Sequence, residues 1–144
     1  VESEAQKQTR AITLKVVGIP KPQGRPRARA FGGHARVYSP STEWATLCRH
    51  EAALLAGKGT AAMTGPCQCT MRFYLPRPKS LPKKNHWPTS RRGELDNLIK
   101  ATLDALVPAL LADDSLVVML HCTKQFALGD NLPGCEITLE EVGE

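Results

Sequence analysis

Five of the chain's fourteen acidic residues are Glu94, Asp96, Asp104, Asp113 and Asp114, gathered into one short stretch with a single lysine, Lys100, near its start. The chain up to Arg92 is mostly basic, so these carboxylates are concentrated inside a cationic protein. Carboxylates held together repel one another unless something positive neutralises them. A hard divalent cation prefers oxygen ligands and supplies that charge. Metal bound by carboxylates within a cationic surface is the chemistry of phosphodiester cleavage.

A helix through this stretch would organise the acids. At about 100° per residue, Leu95, Leu98, Ile99, Leu103, Leu106 and Leu110 form one apolar stripe. Asp96, Lys100 and Asp104 then follow at four-residue steps on the opposite side. Glu94 and Asp96 converge only if Glu94-Leu95-Asp96 is extended and the helix begins at about Asp96, because alternate residues of an extended segment share a side. Asp96 would then sit by the positive helix N-terminus. Pro108 ends the helix near Val107. The chain returns through Asp113-Asp114-Ser115 into Leu116-Val117-Val118-Met119-Leu120, an apolar run expected to be a buried strand. Ordinary readings stand beside these. Asp104 could be a surface ion pair with a lysine, and Asp113-Asp114 alone suits a turn. The joint pattern, acids at the start of a helix and again before the next strand, favours a site.

The run Glu94-Leu95-Asp96-Asn97-Leu98-Ile99-Lys100-Ala101-Thr102-Leu103-Asp104-Ala105-Leu106, followed by Asp113-Asp114 and a hydrophobic strand, resembles the RusA family of Holliday-junction resolvases. These are small metal-dependent endonucleases frequently carried by prophages. Lys21-Pro22-Gln23-Gly24-Arg25-Pro26-Arg27, Gly33-His34-Ala35-Arg36-Val37-Tyr38 and Phe73-Tyr74-Leu75-Pro76-Arg77-Pro78-Lys79 extend the likeness over most of Ile12 to Leu139. The resemblance implies that the metal-binding carboxylates are Glu94, Asp96 and Asp114, with Asp113 alongside. It implies that Lys100 is the essential lysine, and that Glu94, Asp96, Lys100 and Asp114 form the catalytic set. One position departs from the family pattern: its first acid is usually aspartate, and here it is Glu94.

With 144 residues and 15.7 kDa the chain is expected to be one domain with a real core, residues 11–144, after a polar, disordered tail at 1–10. No segment approaches the roughly twenty apolar residues that span a membrane. The five cysteines, Cys48, Cys67, Cys69, Cys122 and Cys135, include no Cys-x-x-Cys pair, which speaks against zinc. Reduced structural cysteines fit a cytoplasmic protein, in a bacterial or phage-infected cell. The net charge of +5 is unevenly spread. Lys21, Arg25, Arg27, Arg29 and Arg36 form one acid-free group, and Arg77, Lys79, Lys83, Lys84, Arg91 and Arg92 form another. A basic loop is often only solvated, but two beside a carboxylate cluster suit a DNA-binding rim.

Ile12, Leu14 and Val16 alternate with Thr13 and Lys15, which predicts a strand over 11–19. The Pro-, Gly- and Arg-rich segment 20–36 reads as a loop. Ser39-Pro40 opens a helix to about Ala56, with Trp44, Leu47, Cys48 and Leu55 on its apolar side. Cys67 to Leu75 is the clearest strand, with Cys67 and Cys69 facing the core. A long loop covers 76–93, where Trp87 and His86 either stack on a base or ribose or, the preferred reading, anchor the loop. The last strand alternates through Cys135, Ile137 and Leu139. The order β-α-β-α-β-β predicts an α/β (α+β) domain with a mixed sheet packed by two main helices.

The expected function is a magnesium-dependent endodeoxyribonuclease that resolves four-way DNA junctions by paired nicks, with manganese able to substitute. Lys100 could place its ammonium against the transition-state phosphate, or could pair with Asp96 or Asp104. The resemblance implies a homodimer, whose two-fold symmetry matches the two nicks a junction needs; no obligate protein partner is inferred. The runner-up is a junction-binding protein with weak or lost cleavage, for which Glu94 is the motive. A magnesium-dependent transferase holding a nucleotide diphosphate is a third class, disfavoured because no Gly-rich phosphate cradle is evident.

Overall fold

Strict alternation of apolar and polar residues builds the sheet. A computed structural model describes residues 10–22, 27–31, 34–38, 42–89 and 94–143. Its strands are β1 (Ala11–Val17), β2 (Arg27–Phe31), β3 (His34–Tyr38), β4 (Cys67–Leu75), β5 (Val117–Phe126) and β6 (Gly134–Glu141). Its helices are α1 (Glu43–Gly57) and α2 (Leu95–Leu106), with a short 3-10 turn at Asp114–Leu116. Four strands form one mixed sheet in the order β1-β6-β4-β5. β6 is antiparallel to both β1 and β4, and β4 is parallel to β5.

One face of the sheet carries the core: Ile12, Leu14 and Val16 from β1, Cys67, Cys69, Met71 and Phe73 from β4, and Cys135, Ile137 and Leu139 from β6 are all buried. Cys67 and Cys69 therefore point inward, as their alternation predicts. Trp44, Cys48 and Ala52 of α1 and Leu98, Ala105 and Leu106 of α2 join the same cluster. The result is a single α+β domain of two layers, with Thr13, Thr70, Arg72, Glu136 and Thr138 lying on the other face of the sheet. At Gly134 a Cβ would run into the Val16 carbonyl oxygen, so glycine permits the close approach of β6 to β1. No described helix is long and apolar enough to cross a membrane.

The structure corrects several expectations. The segment expected as a loop, 20–36, contributes β2 and most of β3, an antiparallel hairpin forming its own two-stranded sheet. Helix α1 begins at Glu43 and is capped by Thr42, whose Oγ1 accepts from the Ala45 amide at 3.2 Å; Ser39 and Pro40 lie outside the described residues, as does the tail at 1–9. β6 is central, and β5 takes an edge. β5 is longer than the apolar run that announced it, and it is not buried: Val118, Met119 and Leu120 are 57%, 53% and 49% exposed.

Candidate active site

Helix α2 carries Asp96, Lys100 and Asp104, and follows directly from Glu94. Its buried arc is Leu98, Ala101, Thr102, Ala105 and Leu106, with Leu95, Ile99 and Leu103 partly buried beside it. Asp96 and Lys100 are exposed on the opposite side, and Asp104 is half-buried. A buried polar node fixes the helix against α1. The Trp44 indole Nε1 donates to Thr102 Oγ1 at 3.1 Å, and that hydroxyl donates to the Leu98 carbonyl at 2.8 Å. Val107 is extended, as a residue before proline prefers, and ends the helix as expected.

The start of α2 differs from the extended arrangement that would converge Glu94 and Asp96. The helix begins at Leu95, so Glu94 is its cap residue and Asp96 lies in its first turn. Glu94 makes no side-chain bond to the helix amides; its Oε2 instead accepts from Asn97 Nδ2 at 3.3 Å. Once Leu95 is helical, Glu94 and Asp96 no longer flank an extended residue and do not share a strand-like side. Lys100 makes no ion pair or hydrogen bond with a described residue, so the pairing with Asp96 or Asp104 considered from sequence is not formed.

The second carboxylate group stands at the other end of α2. Met63 ties down the chain that delivers it: its amide donates to the Leu110 carbonyl at 2.8 Å, and its carbonyl accepts from the Ala112 amide at 3.0 Å. Asp113 then caps the 3-10 turn, with Oδ1 accepting from the Ser115 amide at 2.9 Å. That backbone bond, helped by the Ser115 hydroxyl and Asp114, holds the Asp113 carboxyl below the ordinary carboxylate range. Asp114 is pushed up, first by sharing a hydrogen bond with Asp113 and further by the fields of Asp113 and Asp104. Both aspartates are exposed. The turn reading of Asp113-Asp114 is therefore correct as local structure, and the turn also brings Asp114 within the electrostatic reach of Asp104.

The two acid groups are separated along the helix. From Asp96 to Asp104 the axis rises by about 12 Å, at 1.5 Å per residue. Among the described residues no three His, Cys, Asp or Glu side chains stand close enough to hold one metal ion. The donor chemistry suits a hard cation, because exposed carboxylates are oxygen donors carrying negative charge. The spacing within one chain does not bring Glu94 and Asp96 to Asp113 and Asp114.

The basic residues divide similarly. Arg25, Arg91 and Arg92 lie outside the described residues. On the hairpin the register sets Arg29 opposite Arg36, and Arg27 is two residues along the same strand as Arg29. Lys79, Lys83 and Lys84 are exposed on the long loop. Arg77, grouped with them by sequence, instead braces the loop. Its guanidinium donates to the Asn85 and Pro82 carbonyls at 2.7 and 2.8 Å and lies 5.0 Å over the Phe126 ring. Trp87 does not anchor the loop by burial. It is 65% exposed and lines a cleft of about 570 Å³ with Ile19, Pro78, Leu81 and Phe126. The sequence signal for that cleft was the cluster of prolines around a tryptophan.

Fold and site together define a small α+β protein whose exposed carboxylates and cationic loops suit work on nucleic acid. The chain belongs to the family of endodeoxyribonuclease RusA, whose sequence pattern matches residues 18–140. It is also similar to an uncharacterized protein, YqaN, of Bacillus subtilis (strain 168), at 28% identity over 142 residues, covering 91% of this chain and 96% of that protein.

Proposed function

We propose that this chain is a divalent-metal-dependent endodeoxyribonuclease that resolves four-way DNA junctions by paired symmetric nicks during recombination and repair. The observation that carries the reading is the series of exposed or half-buried carboxylates Glu94, Asp96, Asp104, Asp113 and Asp114 along α2 and the turn that follows it, in a chain of the RusA endodeoxyribonuclease family. Glu94, Asp96, Asp113 and Asp114 are the metal-binding residues of this proposal, and magnesium is the ion. A divalent ion of this kind, when bound, activates water and neutralises phosphate oxyanions.

The chain's own residues supply the rest. Lys100 projects from the exposed side of α2 between the two acid groups, which suits an ammonium placed against phosphate. Arg27, Arg29 and Arg36 of the hairpin, with Lys79, Lys83 and Lys84 of the loop, are positioned in sequence to contact the DNA backbone, which fixes register without reading bases. The partner of the protein is thus branched DNA.

A labelled synthetic four-way junction, with its linear duplex as control, tests the reading. Paired nicks in Mg²⁺ or Mn²⁺, none in excess EDTA, and binding without nicking in Ca²⁺ are the expected results. Full cleavage in EDTA refutes the metal dependence. Tight junction binding with no cleavage in any divalent ion makes the protein a junction-binding relative, a reading favoured by the engagement of Glu94 with Asn97.

A further inference from the structure

We infer that the cleft beside Trp87 receives one unpaired nucleobase of branched DNA and stacks it on the exposed indole. The inference rests on the reading of the chain as a nuclease of branched DNA, and adds to it a place for a base that lies outside the paired arms.

The cleft has a fixed frame. Leu75 and Phe126 end the parallel neighbours β4 and β5, and both line it. The chain leaving β1 supplies Ile19 and Pro20, and the loop after β4 supplies Trp87 and Pro88. The two prolines are buried, whereas Trp87 is 65% exposed. Proline fixes its own φ, so the buried prolines stiffen the chain behind the walls. Arg77 holds the loop in shape through its bonds to the Asn85 and Pro82 carbonyls and its seat over the Phe126 ring. Two turns add to this: the Leu81 amide donates to the Pro78 carbonyl at 3.1 Å, and the Asn85 amide to the Pro82 carbonyl at 3.0 Å. A volume of about 570 Å³ lies within the ordinary range of ligand pockets.

The lining gives the chemistry of the ligand. Its walls are mostly apolar and leave one large aromatic side chain in water. A flat aromatic partner would take that side chain out of solvent, and every base has a π-face that stacks on tryptophan whatever its identity. Asn85 also lines the cleft, and its amide both donates and accepts, as the edge of a base requires. The lining holds no acidic residue and includes Lys21, while Lys79, Lys83 and Lys84 stand exposed on the same loop. An apolar peptide would use the walls but leave the lysines without a counter-charge. A base carried on a phosphate chain uses both.

Position in the chain connects the cleft to the carboxylates. The loop that carries Trp87 begins after Leu75, at the end of β4, and leads to Glu94 and α2. A base within a duplex is already stacked and paired, so drawing it out costs energy, and that cost is least for a base that is unpaired to begin with. Branch points are where pairing is interrupted. A pocket that rewards an unpaired base therefore favours branched over linear DNA, and does so without reading sequence, because stacking is tolerant of base identity.

Bulged duplexes test this directly. A short duplex with one bulged thymidine, the same duplex with an abasic residue at the bulge, the fully paired duplex and free thymidine monophosphate are each titrated into the protein in Ca²⁺, where no nicking is expected. Trp87 is its own reporter, because the other tryptophan, Trp44, is 1% exposed; a Trp87→Leu variant supplies the Trp44 background. The expected result is quenching of Trp87 by the bulged thymidine, with an affinity about tenfold above that for the abasic bulge, as the gain of one base stack gives. Trp87→Ala should bring the two bulges to within about twofold of each other, and Trp87→Phe should keep most of the preference. Both variants should keep the wild-type circular dichroism, since position 87 is exposed. Equal affinity of the wild type for the two bulges, or an undiminished preference in Trp87→Ala, overturns the inference. Quenching by free thymidine monophosphate at the same concentrations as the bulged duplex makes the ligand a free nucleotide and overturns it too. So does a wild-type oligomer that Trp87→Ala turns into monomers with no change in bulge preference, which assigns the cleft to a second copy. Nicking of four-way junctions in Mg²⁺ is scored separately. Bulge preference without nicking leaves the cleft and removes the nuclease, whereas nicking with no Trp87-dependent preference removes the cleft alone.

Discussion

Replacing Thr102 by valine probes how α2 is held. Valine keeps the shape of threonine but removes the hydroxyl that accepts from Trp44 Nε1 and donates to the Leu98 carbonyl. Thr102 is fully buried and Trp44 is 1% exposed, so water cannot take the place of the lost oxygen. The indole N–H is left without a partner, a cost of about 1–3 kcal/mol for a buried neutral donor. The Leu98 carbonyl suffers less, because it remains the acceptor of the helical bond. A loss of about 2 kcal/mol is therefore expected for Thr102→Val, seen as a lower urea midpoint with unchanged slope. Trp44→Phe removes the donor itself, at the expense of some packing. In that background Thr102→Val should cost much less, giving a coupling of about 1 kcal/mol or more between the two sites. Urea unfolding followed by circular dichroism and by tryptophan fluorescence gives all four free energies. A Thr102→Val variant within about 0.5 kcal/mol of wild type, with no coupling to Trp44→Phe, would refute the account. The same bond positions every acid on α2 relative to α1, so the variant should also lower the junction-nicking rate more than junction affinity.

Lys100→Met should leave junction binding within a few fold and reduce nicking by about a hundredfold or more, as removal of a charge-stabilising donor does; near wild-type nicking would show that the ammonium is dispensable. Glu94→Asp should remain active and Glu94→Gln should lose most nicking, read on the same junction; a fully active Glu94→Gln would make the bond to Asn97 the whole role of Glu94. Neutralising Arg27, Arg29 and Arg36 together should weaken binding and flatten its log-log salt dependence by up to about one unit for each phosphate no longer neutralised, measured by fluorescence anisotropy, and an unchanged slope would place the hairpin away from DNA. Burial pushes the Cys48 and Cys69 thiols up from 9.0 to about 12. The folded protein should thus resist alkylation at pH 8 and react on unfolding. Because the unfolded thiols ionise first, stability should be intact below pH 9 and decline between about 9 and about 12; fast alkylation of the native protein at Cys48 or Cys69 would contradict this.

Local periodicity determined a large part of this protein. Ile12, Leu14 and Val16, the Cys67–Leu75 alternation, and Cys135, Ile137 and Leu139 each state a strand with one buried face, because side-chain direction in a strand repeats every two residues. The stripe on α2 and the stop before Pro108 were legible for the same local reason. So was the chemistry of the acidic run, since residue type and neighbours suffice to show that carboxylates collect there. The hairpin at Arg27–Tyr38 was not legible: its proline, glycine and arginine content reads as loop, and strand pairing is an interaction between segments. The helix start was displaced by a single residue, yet that turned Glu94 from a partner of Asp96 into a cap held by Asn97. The strand β5 shows the limit most clearly. Val118, Met119 and Leu120 are apolar and were expected inside, but apolarity records only that a residue gains by leaving water, not that this chain provides the cover. Strand order, set by the parallel crossover from β4, puts β5 at the edge. The same crossover carries Asp113 and Asp114 past the far end of α2, whose axis rises by about 12 Å from Asp96 to Asp104 alone. Acids adjacent in sequence are set apart by the length of the helix between them, and only the tertiary structure decides that distance.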